Sequence, residues 1–369
     1  MRATKAIIHL DYFKENLRNI RKFTTSNVKM CVPVKANAYG HGAVECAKAA
    51  LECGVEFLSV ATVSEGKELR ENGINAPILL FSLCSPEEIS EAVKEKLTPF
   101  VFDEEYITAF DKAAKTAGLF HYPVHLAVDT GMGRIGCLPE QAASLATFIS
   151  EKTDLLLEGT CTHFATSDEC AKESRLFTQI QFSRFTDAID SIKKLGISPG
   201  ICHCANSAAT LDLPETHLDM VRPGIIVYGY NAGEIDENYL KLKGTPIELK
   251  PVMTLKTEVS AIRHFKRGMS VGYGRTWTCL QDTDIAVLPI GYADGLVREF
   301  AQNALMVDIN GRRYPLRGRI CMDQCMVEIG NEEDTWQEQN NYQSGGGDPR
   351  RRYEHLPFHR KSAAFRYGG

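Results

Sequence analysis

Short apolar runs alternate with helix-periodic stretches over the first two-thirds of the chain. The runs are Met30–Asn37, Phe57–Ala61, Pro77–Ser82, Leu97–Phe102, Val124–Asp129, Leu157–Phe164, Gly200–Cys204 and Met220–Tyr228. They are apolar without clean alternation, the pattern of strands buried on both faces. Between them apolar positions recur at helical spacing, first as Leu10, Phe13, Leu17, Ile20 and Phe23, with Asp11 able to cap that segment. Ser85-Pro86-Glu87-Glu88 has the form of a capping box with proline at the first helical position. Gly54, Gly73 and Gly118 stand where helices should end. Eight strand–helix units between about residues 28 and 235 predict a (β/α)8 TIM-type barrel. A doubly wound open sheet is the rival, and the lack of a long interruption favours closure.

After about residue 240 the texture changes. Pro251–Glu328 is rich in Val, Ile, Thr and Tyr, with turn signals at Arg267-Gly268, Gly272, Asn310-Gly311 and Gly318. Asn310-Gly311, between Leu305–Ile309 and Arg312–Leu316, reads as a hairpin turn. The expected organisation is an α/β chain with a barrel over residues 1–240 and a mostly β domain over 241–330. Residues 331–369 are polar, show no period of 2 or 3.6, and read as a poorly ordered tail.

The 369 residues fit about two domains of ~150 residues each. An apolar fraction of 44% and a charged fraction of 24% exclude a disordered, collagen-like or coiled-coil chain. Forty-two basic against 47 acidic residues, a net charge of −5, leave no basic footprint for nucleic acid. No apolar stretch is long enough to span a membrane, and the N-terminus lacks a signal-peptide core. The 12 cysteines are scattered, many inside apolar runs, so a cytoplasmic protein with reduced, buried thiols is expected rather than a disulfide framework. Cys202-His203-Cys204 has metal-ligand residue types but no second cluster at a matching spacing, so no metal site is expected.

In a (β/α)8 barrel the chemistry sits at the C-terminal ends of the strands. Lys35 lies inside the first run, near its end. A buried lysine loses stability in its charged form and becomes a usable amine nucleophile; the alternative is a stem buried and a head that reaches solvent. The fifth is followed by Gly131, Gly133 and Gly136, a literal GxGxxG. Pro139 interrupts the helix that a dinucleotide site needs there, so a loop presenting Arg134 to an anion is the better reading, against a tight turn with its arginine in solvent. The sixth ends at His163, an active-site or a core histidine. The seventh leads to Asn206-Ser207, an anion site or an ordinary helix cap. The eighth contains Arg222-Pro223-Gly224-Ile225, in the loop region where this fold recurrently binds phosphate. A buried lysine, a phosphate cup and an arginine beside it together suggest pyridoxal phosphate held by a lysine.

These residues also carry a resemblance. The chain resembles fold-type III pyridoxal-phosphate enzymes, and within them the alanine racemase family. The similar segments are Val34–Gly42, Asp129–Gly136, His203–Ala208 and Arg222–Gly224 in the first domain. In the second they are Gly272–Thr276, Gly291–Gly295 and Gly318–Gln324; all seven come in the family's order across about residues 5–330. The resemblance implies an isomerase that interconverts L- and D-alanine with two bases, Lys35 on one face of Cα and Tyr273, from the partner subunit of a head-to-tail homodimer, on the other. It implies that Lys35 holds the cofactor. Tyr39, Ser207 and the backbone of Gly224 and Ile225 would bind its phosphate, and Arg222 would face its pyridine nitrogen. Arg134 would meet the cofactor oxygen and the substrate carboxylate, which Met322 would also touch through its backbone. His163 would link Tyr273 to Arg222, and His203 would support Arg222. Asp168, Tyr292, Arg298, Arg319 and Asp323 would line or support the access path. The product would serve peptidoglycan synthesis. Lysine and tyrosine both have ordinary pKa values near ~10, so each must be lowered by burial or positive charge to act near neutrality.

Two features depart from the family. Many members carry a lysine where this chain has Ala127, so something else must orient Arg134. The polar tail lacks the family's usual last strand and resembles out-of-frame translation, with a divergent but folded end as the alternative. A broad-specificity or serine racemase, and a catalytically weak binder of pyridoxal phosphate, are the alternative readings. Because an arginine does not readily give up a proton, Arg222→Glu is expected to raise side transamination. The ratio of keto acid to D-alanine measures this, and an unchanged ratio would overturn it.

Overall fold

The computed structural model describes residues 4–298, 305–309 and 311–330, and the backbone of 356–358. The described residues divide into two units: His9–Val252, and the first strand together with those from Met253 onward. The first strand, β1, is Lys5–Ile8.

The larger unit contains β2 (Lys29–Pro33), β3 (Phe57–Val60), β4 (Ile78–Leu80), β5 (Thr98–Val101), β6 (Tyr122–Ala127), β7 (Leu155–Cys161), β8 (Ile201–His203) and β9 (Met220–Val221). All pair in parallel, in the order β8-β7-β6-β5-β4-β3-β2-β9. The ring closes through the flanks of β8 and β9. The Asp219 N–H donates to the Cys202 carbonyl at 3.0 Å and the Arg222 N–H to the Ala205 carbonyl at 2.9 Å. The Cys202 N–H donates in return to the Asp219 carboxylate at 2.8 Å. This is the expected barrel, and the eight apolar runs supply its eight strands. Every residue of β3 and β4 is buried, as a sheet covered on both faces requires.

Several local details differ from the sequence pattern. Helix Leu10–Arg21 buries Phe13, Leu17 and Ile20 as expected, but its N-cap is His9 and Asp11 lies inside the first turn. Residues 85–88 close a separate turn, with the Ser85 N–H on Glu88 Oε2 at 2.9 Å, so the helix proper starts at Ile89. A reciprocal capping box does form between Thr62 and Glu65, ahead of helix Val63–Glu71. Of the run Met220–Tyr228 only two residues are strand. Pro223 has no N–H to donate, and the chain turns at Gly224 into a 3₁₀ segment, Ile225–Tyr228.

The smaller unit is mostly β. Its strands are β10 (Met253–Thr257), β11 (Ala261–Phe265), β12 (Ser270–Val271), β13 (Trp277–Thr278), β14 (Thr283–Leu288), β15 (Met306–Ile309), β16 (Arg312–Arg317), β17 (Cys325–Gly330) and β18 (Leu356–Phe358). β11-β14-β17-β16-β15 form an antiparallel sheet over a core of Ala286, Leu288, Val307, Ile309, Leu316 and Val327. The register Ile309 opposite Arg312 leaves the two-residue hairpin turn expected at 310–311. The Gly311 N–H bonds Asp308 Oδ1 at 2.9 Å.

Two boundaries move. Lys5–Ile8, expected with the barrel, pairs along its whole length with β10 and so belongs to the smaller unit. The barrel unit runs on to Val252, past residue 240, because Asn16 holds that stretch: its Oδ1 accepts from the Lys250 N–H and its amide donates to the Lys250 carbonyl, both at 2.8 Å. The expectation for residues 331–369 lies outside the described residues except at β18, a strand antiparallel to β10. All twelve cysteines are free thiols.

The barrel seam gives a direct prediction. Asp219→Ala leaves the Cys202 N–H without its carboxylate and should destabilise the chain by about 1–2 kcal/mol. Asp219→Asn, which keeps an acceptor, should lose less. Urea unfolding of the three proteins checks this.

Candidate active site

Lys35 follows β2, and the chain after it does something uncommon. Ala36, Asn37, Ala38 and Tyr39 hold φ of 51, 53, 53 and 55°, one turn of left-handed helix built without glycine. That conformation costs about 1–2 kcal/mol per residue, so the surroundings must over-determine it. They do. Glu65 Oε1 accepts from the Ala36 N–H at 2.6 Å, while Oε2 accepts from Ala61 at 2.7 Å. Asn37 Oδ1 accepts from the Ala43 N–H at 2.8 Å. His41 Nδ1 lies 3.0 Å from both the Ala38 and Tyr39 carbonyls. The Tyr39 ring packs on the fully buried Tyr228 at 4.9 Å between centroids. Burial lowers the Lys35 pKa below its ordinary value; the Arg134 charge lowers it further and Glu65 opposes.

Beside β2, at the end of its neighbour β9, Tyr39, Ser207 and Gly224 converge. The Gly224 N–H donates to Ser207 Oγ at 2.8 Å. A Cβ on Gly224 would sit 3.0 Å from the Tyr39 hydroxyl and 3.7 Å from Ser207 Oγ, so glycine keeps a small polar cup open. The 3₁₀ turn opens at Ile225, and the first N–H groups of such a turn have no partner within it. Asn206 caps helix Ser207–Asp212 through the Ala209 N–H, so the ordinary-cap reading also holds there.

Arg222 is 4% exposed, and its guanidinium is met on two sides. Nη2 donates to the Thr162 carbonyl at 2.8 Å and lies 3.2 Å from His163 Nδ1. Nη1 lies 2.6 Å from His203 Nδ1. Burial first, then the charges of Arg222, Arg134 and Lys35, push the His163 pKa down to about 3. His163 is therefore neutral, and the positive charge of this group belongs to Arg222.

The glycine-rich segment after β6 is a closed loop. Asp129 Oδ1 accepts from the Gly131 and Gly133 N–H groups at 2.9 and 3.1 Å, and the Asp129 N–H donates to the Cys137 carbonyl at 2.8 Å. At Gly136, with φ of 136°, a Cβ would lie 2.4 Å from the Asp129 nitrogen. The GxGxxG therefore wraps an aspartate and presents Arg134. Lys35, Arg134, His163 and Arg222 line one cavity of about 110 Å³, with Ala127 in its wall. Asp168 lies apart from these. Its carbonyl accepts from the Glu234 N–H at 2.8 Å, and its side chain packs on Gly233.

In the smaller unit, Tyr273 opens a short turn between Gly272 and Gly274, both at positive φ, and is 66% exposed. A Cβ at Gly274 would lie 3.4 Å from the Arg319 guanidinium carbon, which places Arg319 beside that turn. Tyr292 and Met322 form a second group. The Tyr292 N–H donates to the Cys321 carbonyl and the Ala293 N–H to the Met322 carbonyl, each at 3.0 Å. Arg298 lies over the Tyr292 ring at 5.4 Å, and Asp323 follows Met322 on the same exposed turn.

The model of the alanine racemase N-terminal domain matches residues 8–232, and that of the C-terminal domain matches residues 252–348. The alanine racemase of Treponema denticola is 50% identical over 330 residues, which cover 89% of this chain and 84% of that protein. The enzyme named alanine racemase in Treponema pallidum is 40% identical over 337 residues, covering 89% and 86%. The solved alanine racemase of Clostridium difficile 630 superposes with a TM-score of 0.83 at 35% identity, covering 98% of this chain and 88% of that one.

The chain belongs to the alanine racemase family.

The match to the C-terminal domain of alanine racemase extends past Gly330, where the sequence pattern ends the β domain. Three residues that the sequence pattern did not single out reach the site through hydrogen bonds: Glu65 to the Lys35 turn, and His125 and Glu158 behind His203. Glu65 was legible as the third position of the Thr62 capping box. His125 and Glu158 were legible only as polar residues inside apolar strand runs, a signal that does not say which face they take.

The charge balance at Lys35 is open to measurement. Amine labelling of the chain across pH, read residue by residue by mass spectrometry, should give a Lys35 midpoint below the ordinary lysine value. Arg134→Gln should move it up and Glu65→Gln further down. A midpoint at the ordinary value would contradict the burial argument.

Proposed function

We propose that this member of the family is an alanine racemase that uses pyridoxal phosphate and two bases, Lys35 and the partner subunit's Tyr273. The observation that carries the reading is the convergence of Lys35, Arg134, His163 and Arg222 on one cavity. The Tyr39–Ser207–Gly224 cup fits a phosphate: it has two hydroxyls beside the N–H groups that open the Ile225 turn, and a Cβ on Gly224 would crowd it. Lys35, whose charge is disfavoured by burial, fits the role of the amine that holds the cofactor. When bound, the cofactor supplies the electron sink that makes the Cα proton acidic.

The chain's own residues do the rest. Arg134, exposed and carried on the Asp129 loop, would bind the carboxylate of alanine. Lys35 would take or return the Cα proton on one face, and Tyr273 would do so on the other, so the substrate never turns over. The exposure of Tyr273 fits a residue offered to a second copy of the chain, which supports a homodimer with shared sites. Met322, Tyr292, Arg298, Arg319 and Asp323 would shape that face, and Asp168 would lie along the access path. D-alanine for peptidoglycan, made in the cytoplasm, is the role the family suggests. Ala127, buried where many relatives carry a lysine, leaves room beside Arg134 and favours testing serine alongside alanine.

Two experiments test the reading. Mixing inactive Lys35→Ala and Tyr273→Phe chains should restore racemisation, because a mixed dimer keeps one site with both bases intact; no recovery in a verified mixed dimer would exclude sharing. Gly224→Ala should weaken pyridoxal phosphate binding at least about tenfold, on the order of 1.4 kcal/mol, with little loss of Tm. Wild-type binding in this variant, measured by quenching of intrinsic fluorescence, would remove the cup from the site.

A further inference from the structure

A line of hydrogen bonds runs from Arg222 away from the cavity. Arg222 Nη1 lies 2.6 Å from His203 Nδ1, His203 Nε2 lies 2.8 Å from His125 Nδ1, and His125 Nε2 lies 3.2 Å from Glu158 Oε2. Both imidazoles are completely buried. Burial and the Arg222 charge keep His203 well below its ordinary pKa; burial also lowers His125, against an opposing pull from Glu158.

The two ends dictate what lies between them. A guanidinium only donates, so His203 Nδ1 must be a bare acceptor. Neutral His203 then carries its hydrogen on Nε2 and donates it to His125 Nδ1. His125 in turn carries its hydrogen on Nε2 and donates it to Glu158, whose carboxylate only accepts. Reversing either ring would set N–H against N–H inside the barrel. The same rule fixes the neighbour on the cavity side. His163 Nδ1 faces Arg222 Nη2, so the His163 hydrogen sits on Nε2.

The backbone is built around this line. Val124 pairs with Leu157 but His125 pairs with Gly159, so Glu158 is the extra residue of a bulge in β7. A Cβ at Gly159 would lie 2.6 Å from His125 Cε1 and 2.8 Å from the Ile201 carbonyl, so glycine there makes room for the ring. Gly200, at φ of 65°, brings its backbone against the Glu158 carbonyl. Phe100 packs on both imidazoles, at 6.1 Å from each.

We propose that Glu158 and His125 are positioning residues: through His203 they fix the direction of hydrogen bonding to Arg222 and so the orientation of its guanidinium in the site. The catalytic consequence rests on the racemase reading; the tautomers do not.

The test is ¹⁵N NMR of the holoenzyme labelled at histidine, with signals assigned by single replacement. His125 and His203 are expected neutral with the hydrogen on Nε2 over about pH 6 to 8. Glu158→Leu removes the final acceptor. It should shift both histidine patterns and lower kcat on the order of tenfold, with KM for alanine nearly unchanged. Glu158→Gln, whose amide oxygen can still accept, should keep the tautomers and recover most of the rate. A hydrogen on Nδ1 of either histidine, or a protonated ring, overturns the proposal, and this result does not depend on whether Glu158→Leu folds. So does a folded Glu158→Leu enzyme with wild-type histidine signals and kcat. A wild-type chain with these tautomers but no racemisation would overturn the functional reading and leave the relay standing.

Discussion

The constraint on which the barrel interior turns is a charge that cannot be shed. An arginine stays protonated under all ordinary conditions, and burying one without partners costs several kcal/mol. Arg222 is almost fully buried, so its N–H groups must find acceptors that leave the site geometry intact. The carbonyls of Thr162 and Cys204 and His163 Nδ1 lie around Nη2, and His203 Nδ1 faces Nη1. Those acceptors come from the ends of two strands, β7 and β8, and meet Arg222 at the end of β9 only because the ring closes. The seam between β8 and β9 is thus part of the site, since Arg222 itself donates its backbone N–H across it.

A second constraint lies on the neighbouring strand end, at Lys35. Its position is set by a left-handed turn in which only Asn37, of residues 36–39, tolerates that conformation readily. The turn is held at its start by Glu65 and toward its end by His41, with Tyr39 packed against Tyr228. Strain of this kind persists only where surrounding contacts outweigh it. Here it swings Tyr39 back toward Ser207 and Gly224 within five residues of the lysine, so one local distortion serves both the lysine and the polar cup.

The sequence disclosed the frame better than the joints. Runs such as Phe57–Ala61 and Pro77–Ser82 are apolar throughout, and two-sided burial is the arrangement that satisfies them. The hairpin at 310–311 was legible because Asn-Gly matches the twist of its flanking strands. Lys35 and Arg222 stood out as charges inside apolar runs, and Arg134 as one in the glycine-rich segment after the fifth. By contrast, the left-handed turn left no local signal, because Ala-Asn-Ala-Tyr contains no glycine to announce it. Pairing of Lys5–Ile8 with Met253–Thr257 is a contact between distant parts of the chain, invisible to periodicity. The bulge at Glu158 was hidden for a related reason: a bulge is a property of two strands in register, and a single run cannot show it.

The cavity also explains why its charges are distributed unevenly. Lys35, Arg134 and Arg222 all line it, while the carboxylate among its lining residues, Asp129, spends its Oδ1 on the Gly131 and Gly133 N–H groups. Glu65 faces the backbone of the Lys35 turn, and Glu158 stands two imidazoles behind Arg222. Anionic side chains are thus used to hold backbone and ring geometry, not to neutralise the cavity. The surplus of positive charge does two things at once. It favours a bound anion, which a carboxylate or phosphate supplies, and it disfavours the protonated amine of Lys35. A carboxylate placed directly against Lys35 would undo both effects, which gives a physical reason for keeping Glu65 turned toward amide hydrogens at the cost of a strained turn.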